Sequence, residues 1–221
     1  MRSRLHNWTR RDAAMSDLSE YISAPQRSDA WHAERRGKIT ASRVSCILPG
    51  KRGGYLAARQ SYLYGLAAER VGVVLPSPYV SAAMERGIAL EPLAREALAF
   101  ELGATIAECG FIADNACGAS PDGIATMPDG SSAYVELKCP EAVAFVAFAM
   151  GADVDPEYMA QVQMGMMVTG LHVAYLAYYH PEFPRPLICR RIERDTEYCA
   201  RLKTEIEKAN AEINNIVEKL K

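Results

Sequence analysis

The order of hydrophobic patterns predicts an α/β or α+β domain. Helical periodicity dominates the N-terminal half, strand-type alternation and short apolar runs follow, and helix, strands and a closing amphipathic helix complete the chain. Residues 1–28 read as a polar lead-in and 29–221 as one domain. From Asp29, DAWHAERRGKITASRVSCIL reads as a short helix, a break at Gly37 and a second helix capped near Thr40 or Ser42. LPGKRGG is a basic glycine-rich loop. Tyr55–Gly72 has helical spacing and ends at VLPSP. Val80–Leu102 is helical in pattern, with a kink or fresh start demanded by Pro92 and a stop at Gly103. ATIAECGFIA and YVELKC read as strands, with SPDG and MPDG as turns. Ala142–Met150 and Glu157–Thr169 read as helices, VAYLAYYH and PLICRRIER as strands, and Asp195–Leu220 as the final helix.

With 221 residues and 49% hydrophobic composition, the chain can bury a full core without disulfides or structural metals. Lys and Arg number 25 against 27 Asp and Glu, a formal net charge of −2. The average conceals an asymmetry. Residues 1–70 hold 13 basic and 6 acidic side chains, net +7, whereas residues 71–221 hold the remaining 12 and 21, net −9. A basic front and an acidic remainder suit a protein that holds phosphates with one part and metal with another; a chance excess of surface arginine is the bland alternative. The 6 cysteines are scattered, with no CxxC, and the 4 histidines form no HxxH or HxxxH pair. That spacing argues against the usual zinc and iron–sulfur arrangements and fits reduced thiols. No apolar run approaches the ~18 residues of a membrane helix. The basic N-terminus lacks the apolar core of a secretory signal, so a cytoplasmic location is expected.

The chemistry concentrates in ASPDGIATMPDGSSAYVELKCP. A turn presents Asp122; after a hairpin-length insertion, a strand presents Glu136 and Lys138 on one face and sends Leu137 to the other. Two carboxylates with a lysine beside them are what metal-assisted phosphodiester cleavage requires. Mg²⁺ takes oxygen ligands and keeps several waters, so two carboxylates and a main-chain carbonyl suffice. Such a metal polarises a phosphate and makes hydroxide available, and a second ion can stabilise the leaving oxygen. The carboxylates favour a charged Lys138 while metal and burial disfavour it. The residue pattern therefore leaves two roles open, a cation that orients water and a neutral general base, with the cation preferred. Taken singly, Asp122 could be an ordinary turn residue, and Glu136 and Lys138 a solvated strand face.

The D…ExK arrangement resembles that of the PD-(D/E)XK nucleases, and the surrounding blocks resemble the lambda-type phage exonucleases of the viral recombinase family. AWHAERRGKITAS, RGIALEPLAR, SPDG, VELKCP, YMAQVQMGMMVTG and IERD stand in the family's order from about residue 30 to residue 200. The resemblance implies a restriction-endonuclease-like core, a central mixed β-sheet flanked by helices with an N-terminal helical region. It implies Mg²⁺, with Mn²⁺ able to substitute and two ions per site, held by Asp122, Glu136 and the Leu137 carbonyl, with Lys138 as the catalytic lysine. Glu91 matches a helix carboxylate facing the metal or its water, although Pro92 stands where the family has helix formers. Gln161 matches an active-site glutamine, with helix surface as the bland alternative, and Asp114 a further acidic position outside the first ring of ligands. Arg35, Ser42 and Ser120 match a pocket for a terminal 5′-phosphate; Arg36 adjoins Arg35, so a shift by one residue stays open. Met84 falls at an apolar wedge that parts the terminal base pair, with a buried helix methionine as the alternative. Lys51 and Arg52 are candidates for duplex contact.

The function so implied is 5′→3′ hydrolysis of one strand from a double-stranded DNA end, giving mononucleotides and a 3′ single-stranded tail. A homotrimeric ring and a single-strand annealing recombinase as partner follow from the same resemblance. Two other readings stand beside it. A restriction-type endonuclease of the same fold would not need the phosphate pocket. A non-catalytic DNA-end binding protein would not need Asp122, Glu136 and Lys138 together.

Overall fold

A computed structural model describes residues 24–50, 53–76 and 80–221. Most of the polar lead-in, Lys51 and Arg52, and the end of VLPSP lie outside the described residues. The elements are α1 (Asp29–Arg35), β1 (Ile39–Thr40), a 3₁₀ segment (Ala41–Ile47), α2 (Ala57–Arg70), α3 (Ala82–Leu102), β2 (Thr105–Ala107), β3 (Ile112–Asp114), β4 (Cys117–Ala119), β5 (Gly123–Thr126), β6 (Ser132–Lys138), α4 (Ala142–Ala149), α5 (Pro156–Thr169), β7 (Val173–Tyr179), β8 (Leu187–Glu193) and α6 (Thr196–Leu220).

Five strands form the central sheet in the order β2-β5-β6-β7-β8. β6 and β7 run parallel and the other neighbours antiparallel, so the sheet is mixed. The parallel pair is bridged by α4 and α5, as a parallel connection requires. Alternation along β6 divides the interior in two. Tyr134 joins a cluster with Leu176, Met164, Leu202 and Ile206 beneath α5 and α6, whereas Ala133, Val135 and Leu137 pack on Ala94 and Leu98 of α3. Buried on both faces, β6 is fixed in register, because a slip by one residue would exchange the two sets. A smaller sheet, β1-β4-β3, stands beside the first.

Local sequence sets the boundaries. Ser28, Ser81, Asp155 and Asp195 cap their helices, each accepting a main-chain N–H of the first turn. Gly103 and Gly170 end α3 and α5 in the left-handed conformation. Arg59 of α2 donates two parallel bonds of 2.8 Å to Glu212 of α6, and Tyr55 donates to Glu205 at 2.6 Å. These ties use Arg59 for packing, so the basic front is not wholly free to meet phosphates.

Three expectations are corrected. The second N-terminal helix is a two-residue strand followed by a 3₁₀ segment; Ile39 and Thr40 instead find partners in β4. ATIAECGFIA is divided between two sheets, β2 pairing with β5 and β3 with β4. α3 makes no fresh start at Pro92 but runs unbroken from Ala82 to Leu102. Both Pro92 and Ile88, whose carbonyl loses its partner, lie on the exposed side of that helix, where water can replace the lost bond.

Candidate active site

β6 and α5 assemble the centre. Tyr134, Glu136 and Lys138 alternate onto one face of β6, opposite α5. Glu136 is 1% exposed, yet each of its oxygens is satisfied. Oε1 accepts from Lys138 Nζ at 2.6 Å and from Gln161 Nε2 at 2.6 Å, and Oε2 from the Tyr134 hydroxyl at 3.0 Å. Gln161 Oε1 accepts in turn from Lys138 Nζ at 3.3 Å, and the Tyr158 ring lies 4.6 Å from the same nitrogen. Gln161 therefore faces the site and is not helix surface. Tyr134 fits beneath α5 because position 165 is glycine; a Cβ there would meet the ring at 2.4 Å.

Asp122 enters from the turn between β4 and β5. Its N–H donates to the Val135 carbonyl at 3.0 Å, and its Oδ2 accepts from the Leu137 N–H at 2.7 Å. Burial, then the charge of Glu136, push Asp122 well above the usual carboxylate range; Lys138 opposes the rise, Glu91 adds to it, and the Leu137 N–H opposes it. Burial pulls Lys138 down, but Glu136 and Asp122 outweigh it and hold the ammonium above its ordinary value. Lys138 is thus a cation in this arrangement, its side chain 20% exposed at the open end of the site.

Glu91, on α3, sits between two arginines, accepting from Arg27 at 2.6 Å and from Arg95 at 2.8 Å. The lead-in thus docks at its end: Gln26 Nε2 donates to the carbonyls of Cys109 at 3.0 Å and of Pro121 at 2.8 Å, beside Asp122. Among the described residues no three His, Cys, Asp or Glu are grouped as metal ligands. The donor set still fits a hard divalent cation. Two carboxylates repel each other in a buried setting, Glu136 Oε2 and Asp122 Oδ2 each accept one hydrogen bond and keep a second lone pair, and the Leu137 carbonyl adjoins them.

A second cluster surrounds Ser120. Its hydroxyl accepts from Arg35 Nη1 at 3.0 Å and from Trp31 Nε1 at 2.9 Å, and the guanidinium stacks 4.1 Å from the Trp31 ring. Burial draws Arg35 below its ordinary value, while Tyr62 and Glu69 act the other way. Of the adjacent arginines, Arg35 makes the contact and Arg36 is exposed. Ser42 is exposed, its hydroxyl 3.4 Å from that of Thr40. Asp114 ends β3 at a hairpin of the smaller sheet, where its side chain accepts from Asn115 at 3.0 Å and takes no part in the carboxylate centre. Met84, 53% exposed in the first turn of α3, is not a buried methionine.

Sequence reading missed Tyr134, Tyr158, Arg95, Arg27 and Trp31. Period-two alternation from Glu136 points to Tyr134, and helical spacing points from Gln161 to Tyr158 and from Glu91 to Arg95. Arg27 carries no such signal. A cavity of about 710 Å³ lies at the other end of β6, between Ser132, Ala133 and Arg191. Among the described residues Asp129 is the one carboxylate in its lining, so it lacks the means for the same chemistry.

No curated protein matches the chain. The family described as the YqaJ-like viral recombinase domain matches residues 30–172. The crystal structure of an alkaline exonuclease, LHK-Exo from Laribacter hongkongensis, is 33% identical, covers 87% of this chain and 96% of its own, and superposes with a TM-score of 0.77. LHK-Exo in complex with dAMP gives 34% identity and the same TM-score, 0.77. A phage related exonuclease from Haemophilus somnus 129PT shares the fold, with a TM-score of 0.63 at 14% identity over 83% of this chain and 96% of its own. On the family match and the likeness to LHK-Exo together, the chain belongs to the YqaJ-like viral recombinase family and has the nuclease fold of the alkaline exonucleases.

Proposed function

We propose that this protein is a metal-dependent exodeoxyribonuclease that removes nucleotides from the 5′-terminated strand of a duplex end. The observation that carries the reading is the convergence of Asp122, Glu136, Lys138 and Gln161 on one open end of β6. Asp122, Glu136 and the Leu137 carbonyl would hold Mg²⁺, or Mn²⁺ in its place, with room for a second ion; when bound it supplies a polarised phosphate and an activated water. The chain's own residues do the rest. Glu136 holds the Lys138 ammonium, which neutralises charge gathering on the phosphate and aligns the water. Tyr134 and Gln161 keep Glu136 in one orientation. Water's oxygen joins phosphorus, the bond to the 3′ oxygen breaks, and that oxygen takes up a proton. A 5′-mononucleotide leaves, of the class to which the dAMP bound to LHK-Exo belongs.

Cleavage on that side of phosphorus leaves a phosphate on the shortened strand, so each turnover renews the group that Arg35 and Ser120 would receive. Ser42 would complete the pocket, and Met84, with Lys51 and Arg52, would meet the duplex. Arg35→Ala is expected to slow initiation on 5′-phosphorylated ends roughly ten- to a hundredfold, the loss of one charged hydrogen-bond partner. On 5′-hydroxyl ends the same change should cost less than about threefold; equal slowing on both ends, measured in single-turnover assays, rules the pocket out.

The family's description as a viral recombinase supports a role in phage recombination; a homotrimeric ring around DNA and an annealing partner for the 3′ tail are proposed on the resemblance of the sequence blocks alone. Light scattering tests the ring. The central test offers linear 5′-phosphorylated duplex and the same DNA as a closed circle with Mg²⁺. Loss of the linear form alone establishes an end-dependent nuclease. Cutting of the circle indicates an endonuclease, and cutting of neither a DNA-end binder.

A further inference from the structure

The Arg95 guanidinium joins two parts of the site that the backbone does not connect. Glu91 and Arg95 lie one turn apart on α3, a helix that packs its Ala94 and Leu98 on the far side of the sheet from Glu136. Asp122 belongs to the turn before β5. Arg95 Nε donates to the Asp122 main-chain carbonyl at 3.0 Å, and Nη2 to Glu91 Oε1 at 2.8 Å. Nη1 meets Glu108 Oε1. The side chain is 12% exposed, whereas Glu108 is 74% exposed, so the outer ion pair is screened by water and the two inner bonds are the consequential ones.

We propose that Arg95 is a positioning residue of the nuclease centre, locking the Asp122 turn to Glu91 so that the two carboxylates keep a fixed spacing beside the divalent cation that Asp122 and Glu136 would hold. The inference rests on the nuclease reading above. Three donors in one rigid plane can hold such a spacing. Nε and Nη2 point to a carbonyl and a carboxylate at a set angle, which a lysine's single rotating ammonium cannot reproduce. All three nitrogens of the Arg95 guanidinium are engaged by a carbonyl and two carboxylates. Its effect passes through the aim of Asp122, whose Oδ2 is already held by the Leu137 N–H on its other side. With the carbonyl end and the carboxylate end both tied, the Asp122 turn has little freedom to relax. Glu91 also pairs with Arg27, but that arginine is 45% exposed and reaches the Asp122 turn only indirectly, through the bond from Gln26 to the Pro121 carbonyl.

The test compares Arg95→Lys and Arg95→Ala with Glu108→Gln, which removes only the outer partner. Mn²⁺ binding to the DNA-free protein is followed by electron paramagnetic resonance, and hydrolysis of linear duplex by steady-state kinetics. Arg95→Lys is expected to weaken Mn²⁺ binding about five- to twentyfold and to lower kcat about tenfold or more, with KM for DNA within about twofold. Arg95→Ala should be at least as impaired, and Glu108→Gln should match the wild type. Variants are compared at temperatures well below their measured Tm, so that unfolding does not enter. Wild-type Mn²⁺ affinity and kcat in a folded Arg95→Lys protein overturn the proposal and leave the nuclease reading intact. An equal loss in Glu108→Gln also overturns it, because the outer ion pair would then set the geometry. A wild type that neither binds Mn²⁺ nor cleaves DNA overturns the nuclease reading and this proposal with it.

Discussion

Asp122→Asn is expected to abolish metal-dependent hydrolysis and at the same time to raise the melting temperature of the metal-free protein. The two effects share one cause. Without a cation, the Asp122 carboxylate is buried and faces the charge of Glu136, with Glu91 adding to the repulsion, and Lys138 compensates only in part. Asparagine removes the charge but keeps an oxygen to accept the Leu137 N–H. Because the folded-state pKa of Asp122 is raised, its favourable contribution is complete below the ordinary value of 3.8 and is lost as pH rises toward the folded value. The stabilisation by Asn should therefore be absent near pH 3.5 and grow from about pH 4 upward. Its size is on the order of 1 kcal/mol or more at neutral pH, or about 2–4 °C for each kcal/mol in a chain of this length. Mg²⁺ should raise the melting temperature of the wild type and leave that of the variant unmoved, while activity falls at least about a thousandfold. Scanning calorimetry with and without metal, across pH, checks the stability effects, and a nuclease assay the rate. A lower melting temperature for the metal-free variant at pH 7 would mean that the carboxylates do not converge.

How much of this was legible in the sequence depends on the range over which each residue acts. Glu136, Leu137 and Lys138 could be assigned to opposite faces of one strand because the period of two operates between neighbours. The caps Asp155 and Asp195 and the stop at Gly103 are equally local. Gln161 needed the family blocks, since nothing in AQVQ shows which side of a helix will meet Glu136. The failures are failures of context. Ile39 and Thr40 are β-branched but form too short a run to show alternation, and become β1 only because β4 offers a ladder. Pro92 looked like a break because sequence does not show that its side of α3 faces water. Arg95 resembles an ordinary surface charge four residues after a glutamate until the fold brings the Asp122 carbonyl to it across 27 residues. Arg27 lay in a stretch read as a loose lead-in, and its partner Glu91 is 64 residues away.

Lys138→Met should carry the opposite sign in stability and a large, though smaller, loss in rate. Methionine preserves the unbranched stem but takes the cation from between Glu136, at 2.6 Å, and the Tyr158 ring. Two carboxylates then share a buried site with no positive partner. Breaking a fully buried pair costs about 3–5 kcal/mol; here less is expected, because the Lys138 side chain keeps 20% exposure. The metal-free melting temperature should fall, and Mg²⁺ should recover part of it by supplying the missing charge. In the Asp122→Asn background the same substitution should cost less, by a coupling of about 0.5–3 kcal/mol, since one of the charges it strands is already gone. Hydrolysis of linear duplex should drop about 10²–10³-fold, the usual consequence of removing one donor aimed at a developing anion. Lys138→Arg separates the two roles that the sequence left open. A cation that stabilises charge leaves Arg measurably more active than Met, whereas a neutral general base leaves both equally inactive, because arginine does not surrender its proton. Equal inactivity of folded, metal-binding Arg and Met variants would therefore move Lys138 from electrostatic partner to base, and would require that the bound metal reverse the balance that holds the ammonium charged in its absence.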